Sequence, residues 1–275
     1  KFWGVDTYDL DPMLRKETDE KAIVAAIGPA AERGALIAGI LHEGSHGRAA
    51  GRCGLGAVMA QKKLKAVVVL GRGKVSIAHP EKLQELIRAK TPLVVDRLKD
   101  LRKYGTARMV QASEQIGSMP LQNFKYPHRW EESATKISGP TLAEKVHIKH
   151  YFCGSCVIGC GKTIQVKEGP YKGSVGGVPE YETINLLGSN CLVDNLEAIC
   201  LGNELCNRYG LDTIETGNLV AFSMEAYEMG LITEKDTGGV PLKWGDPDAL
   251  LAAIRMIGEG THIGVTLRQG LVRAA

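Results

Sequence analysis

The sequence has no apolar run approaching the ~18 residues that a membrane-spanning helix requires, and its first ten residues, "KFWGVDTYDL", carry no apolar targeting core. Neither a membrane span nor a secretory signal is therefore expected, and a cytoplasmic location is the expectation. An excess of charge is also missing: 34 Lys and Arg stand against 31 Asp and Glu, and no basic stretch is interleaved with aromatics. That balance argues against a nucleic-acid partner. The stretch "GRAAGRCGLGAVM" (47–59) has neither the GxGxxG spacing of a dinucleotide site nor the GK[ST] of a P-loop, so it reads as a tight strand-to-helix turn. Seven cysteines, three crowded and four scattered at 53, 191, 200 and 206, do not make the even framework of a small secreted domain. Metal ligation or buried thiols fit that distribution better. An initiator Met is also absent, and the chain stops at "LVRAA" after a helix-like stretch, so it reads as a fragment.

What is present is ample core material, 44% hydrophobic residues over 275 positions. "AIVAAI" (22–27) reads as a short buried strand, and "ALIAGILHE" (35–43) as a second apolar run able to pair with it. A helix over 55–63 and a strand over 65–70 complete a mixed unit. Beyond it, Leu83, Leu86, Ile87, Leu98 and Leu101 recur at helical spacing, with Pro80 as a start signal and Gly105 as a stop. The fold class expected is an α+β N-terminal portion, 1–75, followed by a predominantly α-helical, multihelical domain, 76–275. Within the second part, 117–140 reads as a long ordered loop, and "TLAEKVHIKHYF" (141–152) as a helix running into the cysteine cluster. Residues 195–209 form a predicted helix with Cys200 and Cys206 on its buried stripe and Gly210 in the stop position. Asp212 or Thr213 caps the next helix, with Glu215 placed as in a capping box and Gly230 as its end.

"CGSCVIGCGK" (153–162) places Cys153, Cys156 and Cys160 on one turn, where Gly154 and Gly159 let backbone amides approach the sulfurs. The spacing suits an iron–sulfur cluster that takes a distant fourth ligand. Zinc and unligated thiols are the competing readings, zinc being more usual with separated pairs. Cys53, Cys191, Cys200 and Cys206 are the candidate fourth ligands within the chain, and none lies in a comparable turn.

Three further stretches, "GRAAGRCGLGAVMAQKKLKAVVV" (47–69), "GVPEYETINLLGSNC" (177–191) and "NELCNRYGLDTIETGNLVAFSMEAYEMGLIT" (203–233), give the chain a specific resemblance. It resembles the tungsten-containing aldehyde:ferredoxin oxidoreductase family over essentially its whole length. The resemblance implies the end of an α+β domain that forms a base beneath two pterin cofactors, plus much of a helical second domain. It implies a [4Fe–4S] cluster on Cys153, Cys156 and Cys160, with the fourth Cys and the second pterin motif beyond residue 275. It implies one pterin contact at "NRYGLD", by Asn207, Gly210, Leu211 and Asp212, with Asn207 standing where the family has Asp. Arg48 and Ala49 resemble the small-residue turn that meets a pterin, where a guanidinium can pair with phosphate. The local alternative for "GLDTIETGN" is a helix stop followed by a helix cap, which is compatible with anion binding.

The activity so implied is oxidation of an aldehyde to a carboxylic acid at a bis-pterin tungsten, or molybdenum, centre, with electrons passing through the cluster to ferredoxin. Glu180 in "PEYET" is the expected carboxylate that orients or deprotonates water, with Glu182 beside it, and His128 in "KYPHRW" is the candidate assisting His. His42 and His46 flank the "GRAA" turn within reach of a cofactor phosphate, whereas His147 and His150 read as charges at a helix C-terminus. Within the same family, a benzoyl-CoA-reductase-type tungsten subunit acting on an aromatic CoA thioester is the alternative, and Cys191 bears on it because a thiolate at the metal would change the chemistry. Its other reading is a buried small residue. A non-catalytic metal-stapled or electron-transfer scaffold is the alternative of another class. A homodimer or a larger complex is expected, but Glu197 is followed by Cys200 where some family members carry an interface-metal His, so that metal is not expected here.

Overall fold

The computed structural model describes residues 1–126 and 129–275. The first helix, α1 (Thr7–Glu17), starts where the Asp6 carboxylate accepts the amides of Tyr8 and Asp9. Leu10 and Leu14 on its inner face pack against Val24 and Ala26 of β1 (Ile23–Ala26). Period-two alternation sends Ile23 of that strand outward, 56% exposed. The chain continues through α2 (Pro29–Glu32), β2 (Ile40–His42), β3 (Arg48–Ala50), α3 (Leu55–Gln61) and β4 (Ala66–Val69). The four strands make an antiparallel sheet in the order β3-β2-β1-β4, with Ala25 opposite both His42 and Val67. The second apolar run does pair with the first, but only through its last residues.

The remainder is predominantly helical. It holds α4 (Pro80–Arg97), α5 (Lys99–Tyr104), a 3-10 turn at Thr106–Met109, α6 (Val110–Gln115), α7 (Glu131–Lys136) and α8 (Gly139–Lys145). A three-stranded antiparallel sheet follows, β5 (His147–Tyr151), β6 (Gly161–Gln165) and β7 (Val175–Gly177). Then come α9 (Tyr181–Leu187), α10 (Leu196–Tyr209), α11 (Thr213–Glu228), α12 (Pro247–Glu259), α13 (Gly264–Leu267) and α14 (Leu271–Ala274). The helix expected through Phe152 stops at Lys145. His147–Tyr151 instead pairs with β6, Tyr151 opposite Gly161 and His150 opposite Lys162, because tertiary pairing overrides a helical pattern in a stretch rich in β-branched and aromatic residues. His147 and His150 are therefore strand side chains. The expected loop over 117–140 contains α7, whose entry is organised by the buried Glu114 carboxylate accepting the amides of Arg129 and Trp130.

The main core lies among α9 to α12, where Leu187, Ile199, Leu219, Leu250 and Ile254 are wholly buried. The caps of α10 are those the sequence predicts: Asn195 accepts the Ala198 amide at 2.9 Å, and Gly210 turns the chain out at φ 76°. Asp212 caps α11 by accepting the Ile214 amide, but Glu215 turns away from the capping box and accepts the Leu271 amide. Cys200 and Cys206 are buried as expected. The amphipathic α4 forms, yet none of its residues is buried, and Leu86, Ile87 and Leu93 keep about half their surface exposed.

A backbone seam joins the N-terminal sheet to the α10–α11 corner. Gly39 donates its amide to the Gly210 carbonyl at 2.9 Å, Asp212 donates to the Ile37 carbonyl at 3.1 Å, and Ala38 pairs with Leu211. Gly28 closes against the end of α10, where a side chain would collide with the Tyr209 carbonyl. Gly28→Ala should therefore cost about 1–3 kcal/mol, since neither backbone can yield without opening the seam. Urea unfolding measures this, and an unchanged midpoint would show that the seam tolerates a gap.

Candidate functional site

The seam sets two short segments face to face. β3 delivers Arg48 and Ala49, and the α10–α11 corner delivers Asn207, Leu211 and Asp212. These five residues, with Glu180, Arg52, His46 and Thr183, line a cavity of about 300 Å³. Six of the residues named from the sequence for binding or catalysis are thus brought together. Gly210 does not line the cavity; its left-handed backbone turns Leu211 and Asp212 into it while packing on Gly28. Glu182 reaches the rim from an exposed position. His128 lies outside the described residues. Of the other histidines, His46 lines the cavity, whereas His42 faces Glu43 at 3.6 Å.

Glu180 is the N-cap position of α9 and is held on both oxygens. Arg48 Nη1 donates to Oε1 at 2.8 Å and Thr106 Oγ1 to Oε2 at 2.5 Å, while Thr106 itself accepts the Tyr181 amide at 2.9 Å. Burial would push the Arg48 guanidinium down, but its hydrogen bond and ion pair with Glu180 more than offset this, and the Cys153 and Cys160 sulfurs add to the upward shift. Among the described residues neither Arg48 Nε nor His46 Nδ1, both buried, has a hydrogen-bond partner. His46 stacks on Tyr151 with ring centroids 3.9 Å apart, and burial lowers its pKa. Asn207 packs its amide against Gly47, where a Cβ would leave it no room, and Asp212 has its pKa raised by burial although two α11 amides oppose the shift. The unpaired buried Nε–H of Arg48 in a polar recess that Arg52 also lines matches the requirements of an oxyanion such as a phosphate.

The cysteine loop, 152–160, joins β5 to β6 next to this cavity. Arg48 spans the two: it sits 5.5 Å from the Tyr151 ring centroid, and the guanidinium reaches Gly161 closely enough to exclude a side chain there. All seven cysteines are free thiols, with Cys153 exposed and Cys156 and Cys160 half-buried. The Ile158 amide donates to Cys156 Sγ at 3.4 Å, and that amide with the one of Gly159 lowers the Cys156 pKa. Among the described residues no three His, Cys, Asp or Glu side chains converge on a common point, so the thiols lie along the loop.

Cys191 is fully buried away from the cavity, donating to the carbonyls of Leu186 at 3.4 Å and Gly217 at 3.7 Å, and burial pushes its pKa far up. Arg52 and Thr106 were not singled out in the sequence. The second Arg of "GRAAGR" was a usable signal for the first, but nothing local marks Thr106.

The family profile described as "Aldehyde ferredoxin oxidoreductase, domains 2 & 3" matches residues 81–275, and "Aldehyde ferredoxin oxidoreductase, N-terminal domain" matches residues 1–71. The chain is 37% identical to a tungsten-containing aldehyde ferredoxin oxidoreductase of Pyrococcus furiosus, covering all of this chain and 45% of that protein. It is 31% identical to the WOR-like subunit of an aliphatic sulfonate oxidoreductase from the same organism, covering 46% of it. Its backbone resembles the active-site complex BamBC of benzoyl coenzyme A reductase in complex with 1,5-dienoyl-CoA, with a TM-score of 0.80 and 23% identity over all of this chain and 42% of that one. The chain therefore spans a little under half the length of the relatives it matches.

The burial pattern separates the thiols by reactivity. In iron-free folded protein, iodoacetamide should label Cys53 and Cys153, whereas Cys191, Cys200 and Cys206 should react on the order of a hundredfold more slowly, their thiolates being suppressed by burial. Peptide mapping of the adducts checks this, and early labelling of Cys191 would contradict the placement.

Proposed function

The chain belongs to the aldehyde ferredoxin oxidoreductase family, and on that premise we propose that it carries the cofactor-facing part of an enzyme oxidising an aldehyde to a carboxylic acid. The observation that carries this reading is the convergence of Arg48, Glu180, Asn207 and Asp212 on one cavity beside the three-cysteine loop. The family profiles meet between residues 71 and 81, which supports a division into 1–75 and 76–275.

The residues present fit a pterin. Among the described residues Arg48 Nε is a buried donor without a partner and His46 Nδ1 a buried, unpaired ring nitrogen, and an anionic cofactor would satisfy the guanidinium. Arg48, Ala49, Asn207, Leu211 and Asp212 would hold it, with Gly210 setting the turn, and Cys153, Cys156 and Cys160 would supply three cluster ligands. When bound, a bis-pterin tungsten centre, or its molybdenum counterpart, supplies the two-electron acceptor, and a [4Fe–4S] cluster relays single electrons to ferredoxin. The balance is one aldehyde and one water giving one carboxylic acid, two protons and two electrons.

This chain's own residues handle orientation and the proton. The Arg48 ion pair and the Thr106 hydroxyl fix both carboxylate oxygens of Glu180, so its free lone pairs keep one direction. From there Glu180 orients water and accepts its proton.

The benzoyl-CoA-reductase-type alternative is less favoured. Its support is a likeness of fold, while the more identical relatives bear the aldehyde name, and the buried Cys191 offers no thiolate to the cavity. A non-catalytic scaffold predicts structural zinc at the cysteines. Anaerobically purified full-length protein should contain tungsten and reducible iron, and zinc without iron would sink the enzyme reading. Activity on a panel of aldehydes, compared with benzoyl-CoA, then separates the two catalytic readings. Glu180→Gln should lower kcat by about 10²–10⁴-fold with tungsten and iron contents unchanged, since the amide keeps the hydrogen-bonding shape but takes up no proton.

A further inference from the structure

Lys162 heads the largest side chains that this protein buries completely, with 1% of its surface reaching solvent. It lies in β6, two residues past Cys160. Burying an ammonium is costly unless polar atoms replace its water. Here Nζ donates to the carbonyl of Arg102 at 2.9 Å and to the carbonyl of Cys160 at 3.3 Å. Among the described residues no carboxylate forms an ion pair with it. Methionine would fill the same space without that cost, so the position gains nothing in packing from a charge.

The two carbonyls identify what the ammonium joins. Arg102 lies in the last turn of α5, where unpaired carbonyls and the helix dipole favour a cation. The same residue reaches back to the loop: its Nη1 donates to the Val157 carbonyl at 3.2 Å and its guanidinium lies 5.7 Å from the Phe152 ring centroid. Gly105, just past α5 at φ 65°, approaches so closely that a Cβ would stand 3.1 Å from the Cys160 carbonyl oxygen. The end of α5 thus forms a floor under the cysteine loop, and Lys162 is the bolt through it. Burial lowers the Lys162 pKa and the Arg102 guanidinium adds to that, while the opposite charges of Cys160 and Glu180 work against it, so the two carbonyls are what hold the ammonium in place.

We propose that Lys162 is a positioning residue for the iron–sulfur cluster: it ties the Cys160 backbone to the end of α5 and sets a fixed positive charge beneath the thiolate loop, raising the reduction potential of the cluster. The sign follows from electrostatics. Reduction adds negative charge to an already anionic group, and a buried cation nearby stabilises the reduced form more than the oxidised one. The inference rests on the three cysteines holding a cluster, as proposed above.

The test uses the intact protein, purified anaerobically with its metals, as wild type, Lys162→Met and Lys162→Arg. Iron content and a redox titration followed by electron paramagnetic resonance are the readouts. Lys162→Met should keep its iron and shift the one-electron equilibrium about tenfold toward the oxidised cluster, ~59 mV negative, while Lys162→Arg stays near wild type. Loss of iron in the Met variant with retention in the Arg variant supports the same role. An unshifted, fully loaded Met variant overturns the inference and leaves the cluster assignment standing. Equal effects of both substitutions also overturn it, because shape rather than charge would then be at work. A wild type without a cluster overturns the cluster assignment itself, and this inference with it.

Discussion

The seam between residues 37–39 and 210–212 is the constraint on which the site depends. The first flank of the seam carries little chemistry, and in the second only Asp212 carries any. Ile37, Ala38 and Gly39 form a plain backbone edge, and Gly210 is the left-handed exit from α10. Yet the hydrogen bonds across it hold β3 opposite the start of α11, and the cavity between them is closed by Glu180 and Thr183 from the start of α9. Backbone pairing tolerates many side chains and few changes of path. Glycines therefore stand where the banks touch, and the variable chemistry projects from the residues beside them.

Helix ends were legible because their chemistry is local. Asn195, Gly210 and Asp212 announce a start, a stop and another start within a few residues of where they act. The partnership of Arg48 with Glu180 was not legible as a pair, since 132 positions separate them and neither shows a local requirement for the other. Both residues were named, but through a likeness of motifs rather than through their geometry. Thr106 illustrates the complementary failure: its hydroxyl is bonded to Glu180 and its surroundings in sequence are an ordinary helix end. The stretch from His147 to Tyr151 misled because its helical apolar spacing is compatible with a strand. The arrival of β6 decided the matter.

The cysteines divide along the same line. Cys200 and Cys206 sit on a stripe that periodicity exposes, so their burial was foreseeable, whereas the isolation of Cys191 depends on α11 crossing behind α9 with Gly217 at the contact. The clustered thiols lie in a loop whose supports, Arg48 on one side and the end of α5 on the other, come from distant segments. A dense run of reactive residues is conspicuous in a sequence. The rigid frame that makes the run useful is spread across the whole chain.

The N-terminal sheet has a consequence for anyone handling this polypeptide. Its last strand, β4, is an edge, and Ile23, Val67 and Val69 expose roughly half their surface on the face that α1 leaves uncovered. An open edge beside a valine-rich face is a template for further strands, and stacking of copies would compete with refolding after any excursion from the native state. A charged residue in place of Val69, on that same face, is the change that would keep the chain apart from its neighbours.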